Sequence, residues 1–296
     1  MEDIKQLLDI PYKIRKHCAI CGLILGEPII ELPDLPLTEV YVKQPIKEKV
    51  GFVDQEFHVC GKCGHGQLSY IVDPKALYDR AVYFHQTSHS ATARTSIDFF
   101  LSFLNKTLKN RVFSSVIEIG CNDLYLLRLL KNRSKQLIGI DPIAPPEDIS
   151  ADGIQFIKDY VENVDLGKYI KGKSCLVVSV FTLEHVIEPR SLFQQLLEFA
   201  DEKSLFVLKF PGLETLLDNL RFDQISHQHL HYFSLQSIIH LLEEYGGELL
   251  DYEINYHHWG AFVIAFKKNT THTEWKSKFS GWGVLSASSL RGLQGR

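Results

Sequence analysis

From residue 114 onward the apolar residues follow two alternating rhythms. Short continuous runs rich in β-branched residues (SSVIEIG, KQLIGID, KSCLVVSVF, SLFVLKFP) alternate with segments whose apolar positions recur every three or four residues (LYLLRLLKN, PRSLFQQLLEFAD, SLQSIIHLLEEYG). The first kind predicts strands buried on both faces, the second amphipathic helices. IQFIKDYV predicts another strand, and Ser234 is placed to cap the helix that follows it in sequence. ELLDYEINY and WGAFVIAFKK are joined by a turn too short for a crossover helix, which predicts an antiparallel hairpin at the sheet edge. The whole predicts an α/β sandwich with a Rossmann-like sheet over residues 114–268, binding ligands at the carboxyl ends of its strands.

The first 113 residues read differently. Residues 76–113 turn helical (PKALYDRAV, then SATARTSIDFFLSFLNKTLKN), interrupted by the polar, aromatic YFHQTSHS at 83–90, which reads as a site-lining loop in a linker or lid. Residues 1–75 hold two C-x2-C pairs, Cys18/Cys21 and Cys60/Cys63, with Gly22, Gly61 and Gly64 beside the sulfurs. Two such knuckles predict a closed, structural tetrahedral zinc site, in a segment too small to be stable on its core alone. His17, His58 and His65 flank the pairs and are expected to be solvated. Cys121 and Cys175 lie in apolar stretches and are expected in the core. Residues 269–296 form a tail, either a natural end or the opening of a truncated domain.

Composition narrows the class. A formal charge of −4 over 296 residues provides no basic field for nucleic acid or an anionic membrane. No apolar run approaches the roughly 20 residues that span a bilayer. The acidic, amphipathic MEDIKQLLDI is unlike a secretory signal, so a cytoplasmic protein is expected. The oligomeric state is left open.

Gly120 ends the first strand of this half and Asp141 the second, about 20 residues on, where an acidic residue can accept ribose hydroxyls. A dinucleotide would ask for G-x-G-x-x-G, but GCNDLY has Asn122 and Tyr125 at the later glycine positions, so no pyrophosphate seat forms. S-adenosylmethionine, which carries no pyrophosphate, fits better. The expected cofactor set is Glu118, Gly120, Asn122, Asp123, Asp141, Asp159 (toward the adenine amine) and Thr182.

VIEIGCNDLYLLRLL…LIGIDP resembles the first two motifs of class I S-adenosylmethionine-dependent methyltransferases. With the double C-x2-C segment, YFHQTSHS and FDQISHQHLHYFS, residues 15–268 resemble the zinc-containing sugar C-methyltransferases that act on nucleotide-linked keto-deoxysugars. That family's last motif reads Tyr-His-Glu-His-Leu-Ser-Tyr with its second histidine as base, which falls here on His229. Ser226 and Gln228 stand where the family has tyrosine and glutamate, and Leu124 where it has glycine. A family tyrosine falls near Tyr83, with His85 as the alternative. These departures make oxygen or nitrogen methylation of a sugar a rival reading. A non-catalytic zinc-ribbon binding or assembly protein on the same scaffold is another.

His227, His229 and His231 alternate in ISHQHLHYFS. On an extended segment they could share one face and bind a metal, form a polar structural loop, or supply a base. Imidazole accepts a proton at neutral pH, and the sulfonium methyl needs only a positioned, deprotonated nucleophile. At least one of the three can therefore serve as base, and the resemblance implies His229, with His227, Tyr83 and Gln228 beside it, and Glu184, His185, His85, His231, Tyr232 and His258 as expected substrate contacts.

Overall fold

The computed structural model of the chain describes residues 10–37, 51–74, 77, 86–143, 145, 153–271 and 274–279. Five short strands come first: β1 (Tyr12–Ile14), β2 (Ile30–Pro36), β3 (Phe52–Val59), β4 (Gly66–Leu68) and β5 (Tyr70–Val72). Helix α1 (Ala91–Leu108) starts where Ser90 accepts a hydrogen bond from Ala93 N, and its apolar side buries Ile97, Phe100, Phe103 and Leu104. There follow β6 (Ser115–Ile119), α2 (Tyr125–Leu129), β7 (Leu137–Asp141), β8 (Ile154–Lys158), α3 (Gly167–Ile170), β9 (Cys175–Val180), α4 (Pro189–Phe199), β10 (Leu205–Pro211), α5 (Leu213–Asp218), β11 (His231–Tyr232), α6 (Leu235–Glu244), β12 (Gly247–Asn255) and β13 (Ala261–Lys268).

Seven of these strands form one sheet in the order β12-β13-β10-β9-β6-β7-β8. Strands β6 to β10 are parallel; β13 runs antiparallel to β10 and β12 antiparallel to β13. The predicted hairpin is therefore present, with β13 wedged inside the sheet and β12 at its edge. Strand β6 buries every residue, because α1 and α2 cover one face while α4 and α6 cover the other. The order reverses between β6 and β9, so their connections leave in opposite directions and open a crevice at their carboxyl ends.

Helix α2 is shorter than its periodicity predicts, ending at Leu129 with a 3-10 turn at Lys131–Arg133. Ser234 caps α6 as predicted, in a reciprocal capping box with Ser237.

The histidine loop departs most from expectation. It is not a free loop over the large sheet: β11 pairs with β4, completing a four-stranded sheet β11-β4-β3-β2 that is otherwise built from the first 75 residues. A shared apolar cluster backs this union. Phe57 and Leu68 of the small sheet pack with Leu213, Leu216, Leu217, Ile225 and Tyr232. No helix among the described residues is long and apolar enough to cross a membrane.

Candidate active site

The turn after β6 is built tightly. Gly120 has φ +73°, and a Cβ there would lie 1.9 Å from Thr182 Oγ1, so the close approach of Thr182 already excludes a side chain. Asn122 and Leu124 also adopt positive φ (46° and 64°). Leu124, where the resembled family has glycine, thus holds a left-handed backbone at a cost in strain offset by complete burial of its side chain. Asp141, at the end of β7, clamps this turn by accepting from Asn122 N at 2.9 Å and from Ile143 N at 2.8 Å.

Glu118 is buried beside Asp141 and Asp123, and its Oε2 has no hydrogen-bond partner. Burial, reinforced by these two carboxylates, pushes its proton affinity well above the ordinary carboxylate range. Three clustered acids at the rim of a crevice favour a cationic ligand. S-adenosylmethionine carries an ammonium and a sulfonium, so these residues fit the cofactor expected from the sequence.

Above the turn lies a cavity of about 870 Å³. Its lining includes Gly120, Asp141, Asp159, Thr182, His185 and His229, with Ser96, His258 and Trp259 among the rest. All seven expected cofactor residues line it, as do Glu184, Gln228 and His258. Tyr83 and His85 lie outside the described residues.

The three alternating histidines do not share a face. His227 is fully buried, and its Nε2 donates to the Val53 carbonyl of β3 at 3.0 Å. His231 is fully buried between His65 (3.0 Å) and Arg15 (3.5 Å). Tyr232 is also buried, its hydroxyl donating to the Gln224 carbonyl at 3.0 Å. The expectation that His227, His231 and Tyr232 face the reaction is therefore corrected: they fasten the loop to the N-terminal sheet and line no part of the cavity. Burial lowers the proton affinity of His227. The unfolded chain then takes up a proton below pH about 6.5 that the folded chain refuses, so this group's contribution to stability falls as pH drops through that value. His227→Gln, which can still donate to Val53, should lose less stability than the wild type between pH 7 and 5 in denaturant titrations. Equal losses would contradict this reading.

Only His229 turns into the cavity. Its Nδ1 is shielded from solvent and unpartnered, while the backbone of Gln224 hydrogen-bonds the ring. A carbonyl only accepts, so the other nitrogen carries the proton and Nδ1 keeps a lone pair. Burial, then neighbouring His185, pull its pKa down to about 3. The His185 ring stands 5.1 Å away, edge to face, with Nδ1 donating to the Gln228 carbonyl at 2.7 Å. Beside both, Glu184 is 1% exposed, its carboxylate without a hydrogen bond and its Oε1 4.0 Å from His185 Nε2, and burial pushes it up to about 8. The Leu230 N–H donates to the Glu184 carbonyl at 2.8 Å, which ties the histidine loop to the end of β9.

Cys18, Cys21, Cys60 and Cys63 converge with no disulfide among them. The Cys18–Cys63 sulfurs are 3.6 Å apart and the Cys21–Cys60 sulfurs 3.4 Å. Tetrahedral zinc with 2.3 Å bonds needs about 3.8 Å, so four thiolates at these positions fit the ion. The expectation that His58 and His65 are solvated is corrected: both are buried, His58 Nδ1 donating to the Gly26 carbonyl at 3.1 Å with Nε2 3.2 Å from Glu56, and His65 meeting His231. Cys121 and Cys175 are buried in the core as expected.

If Asp141 holds the cofactor ribose, Asp141→Ala should weaken S-adenosylmethionine binding by roughly 1.5–3 kcal/mol, through lost charge-assisted hydrogen bonds and a loosened turn. Unchanged affinity by calorimetry would refute that role.

A family model described as a methyltransferase domain matches residues 84–252, and one described as a zinc binding domain matches residues 18–78. The chain is 23% identical over 218 residues to the C-methyltransferase NovU of Streptomyces niveus, covering 70% of this chain and 49% of that protein. It therefore spans about half the length of that curated relative. Among solved structures, the N-methyltransferase NodS of Bradyrhizobium japonicum WM9 aligns with TM-score 0.45 and 13% identity over 61% of this chain and 98% of that one. A 1,6-didemethyltoxoflavin-N1-methyltransferase of Burkholderia thailandensis aligns with TM-score 0.45 and 12% identity over 61% and 80%.

Proposed function

The chain belongs to the methyltransferase-domain family, with a zinc-binding domain ahead of it, and from that premise we propose that it methylates a nucleotide-linked sugar in the cytoplasm, at a carbon beside a ketone, with His229 as the base. The observation that carries this reading is His229, a residue that lines the same cavity as the Gly120–Asp141 turn and whose Nδ1 has no hydrogen-bond partner. S-adenosylmethionine, when bound, supplies an electrophilic methyl group. The protein's task is to hold the acceptor and take its proton.

A pKa near 3 keeps His229 unprotonated at neutral pH but makes it a weak base before substrate arrives. Negative charge developing on a substrate oxygen about 4 Å away is worth about 4 kcal/mol at an effective dielectric of 20. That equals about three pH units of proton affinity, enough to bring the ring back near its ordinary range. Proton transfer and charge development therefore support each other. His185 has its Nδ1 proton committed to Gln228, so its Nε2, 4.0 Å from Glu184 Oε1, keeps a lone pair on a residue that lines the cavity.

Gln228 stands where the resembled family has glutamate and cannot ionise, which favours transfer to oxygen or nitrogen as the second reading. Incubating the zinc-loaded protein with methyl-labelled cofactor and a panel of nucleotide-linked sugars, then locating the methyl by NMR, separates the two. A new carbon–carbon bond beside a ketone supports the first reading; an O- or N-methyl product replaces it with the second. No transfer to any sugar removes sugars as the acceptor class.

A further inference from the structure

A second polar group reaches the cavity from behind its wall. Lys209, on β10, points into the protein interior and is 1% exposed. Its Nζ donates to the Ser96 carbonyl at 3.0 Å and makes a short hydrogen bond to Ser96 Oγ. The same nitrogen lies over the rings of Phe181 (5.3 Å) and Phe99 (5.7 Å), which suits a cation. Ser96 Oγ lies 3.1 Å from His258 Nδ1. His258 stacks on Trp259 and meets Phe181 edge-on, and Ser96, Phe181, His258 and Trp259 all line the cavity. Burying a lysine amine in an apolar strand is costly, and no carboxylate is among the partners seen for Lys209.

One set of hydrogen-bond directions gives each of these groups a partner. A lysine amine has hydrogens for both Ser96 oxygens, and the carbonyl can only accept. With Ser96 Oγ accepting from Lys209, its single hydrogen is free for His258 Nδ1. In that arrangement the nitrogen accepts and the neutral ring carries its proton on Nε2, for which no hydrogen bond is seen among the described residues, on a residue that lines the cavity. Burial and the nearby Lys209 charge pull the His258 pKa down to about 4, so the ring stays neutral.

We propose that Lys209 and Ser96 are positioning residues that hold His258 as an Nε2–H donor for an oxygen of the acceptor substrate, a carbonyl or hydroxyl that gains negative charge as the methyl is transferred. The substrate half of this statement rests on the acceptor proposed above; the tautomer half does not. The relay would pair a donor on the wall formed by α1 and the β12–β13 turn with the acceptor nitrogen of His229, so that one group withdraws the proton while the other steadies the oxygen.

Nitrogen-15 NMR of the histidine rings in the zinc-loaded protein tests the relay without substrate, the His258 signals being identified by their loss in His258→Gln. The expected wild-type pattern is a single tautomer with hydrogen on Nε2, becoming a mixture in Ser96→Ala and Lys209→Met and restored in Ser96→Thr. In the methyl-transfer assay, Ser96→Ala and Lys209→Met should lower kcat on the order of tenfold, His258→Ala by about 10²-fold, with cofactor affinity unchanged and Ser96→Thr near wild type. Hydrogen on Nδ1 in the wild type, or a tautomer unmoved in Ser96→Ala, would overturn the relay. Should Lys209→Met fail to fold, the Ser96 pair decides alone. A correct tautomer pattern in a protein that methylates no sugar would keep the relay and remove only the proposed acceptor.

Discussion

His229→Ala is expected to lower methyl-transfer turnover by about 10²–10⁴-fold, the usual contribution of a positioned base, while cofactor affinity stays near wild type. The separation follows from the site. His229 lies on the histidine loop, whereas the acids placed to receive the cofactor, Glu118, Asp123 and Asp141, belong to the ends of β6 and β7 and the turn between them. His227→Ala and His231→Ala should behave differently. Each removes a buried tie to the N-terminal sheet, so stability falls and activity falls with it, in proportion to the fraction folded. Measuring kcat on folded protein, with unfolding followed in parallel, distinguishes the two effects. Near-normal turnover in folded His229→Ala would move the base elsewhere, with His185 next because it lines the same cavity and its Nε2 keeps a lone pair.

Zinc removal should have the largest structural effect, and it should reach the histidine loop. Structural zinc is worth roughly 10–16 kcal/mol to zinc-finger peptides. Here the knuckle at Cys60 and Cys63 leads directly into β4, and β4 holds β11 of the histidine loop. Cys60→Ser or chelation should therefore release residues 225–234 as well as the N-terminal sheet, abolishing turnover although no loop histidine is a zinc ligand. Binding of S-adenosylmethionine should largely survive, since Gly120 and Asp141 sit on the large sheet. Hydrogen exchange of the loop, before and after chelation, checks this. Loop protection unchanged by loss of zinc would contradict the coupling.

The large sheet was legible because its central strands are buried on both faces and its helices on one, so each element carried its own periodicity. The four thiols and the Gly120–Asp141 pair were legible because spacing alone constrains them. The histidine loop was not. Alternation in a sequence assumes a strand with one wet and one dry face, whereas this segment is wedged between two units, and both faces are occupied: His227 and His231 by the N-terminal sheet, His229 by the cavity. The pairing of β11 with β4 joins residues more than 160 positions apart, which no local pattern announces. Lys209 was missed for a similar reason. In LFVLKFP it reads as one polar interruption of an apolar strand, and its meaning depends on Ser96, brought to it by α1.

Exchange of the proton beside the ketone tests the central assignment most directly. A nucleotide-linked keto-deoxysugar incubated with zinc-loaded protein in deuterium oxide should take up deuterium at the carbon beside the ketone in wild type and fail to do so in His229→Ala. Methyl transfer by an active enzyme without that exchange, or exchange that persists in folded His229→Ala, would contradict carbon methylation with His229 as the base.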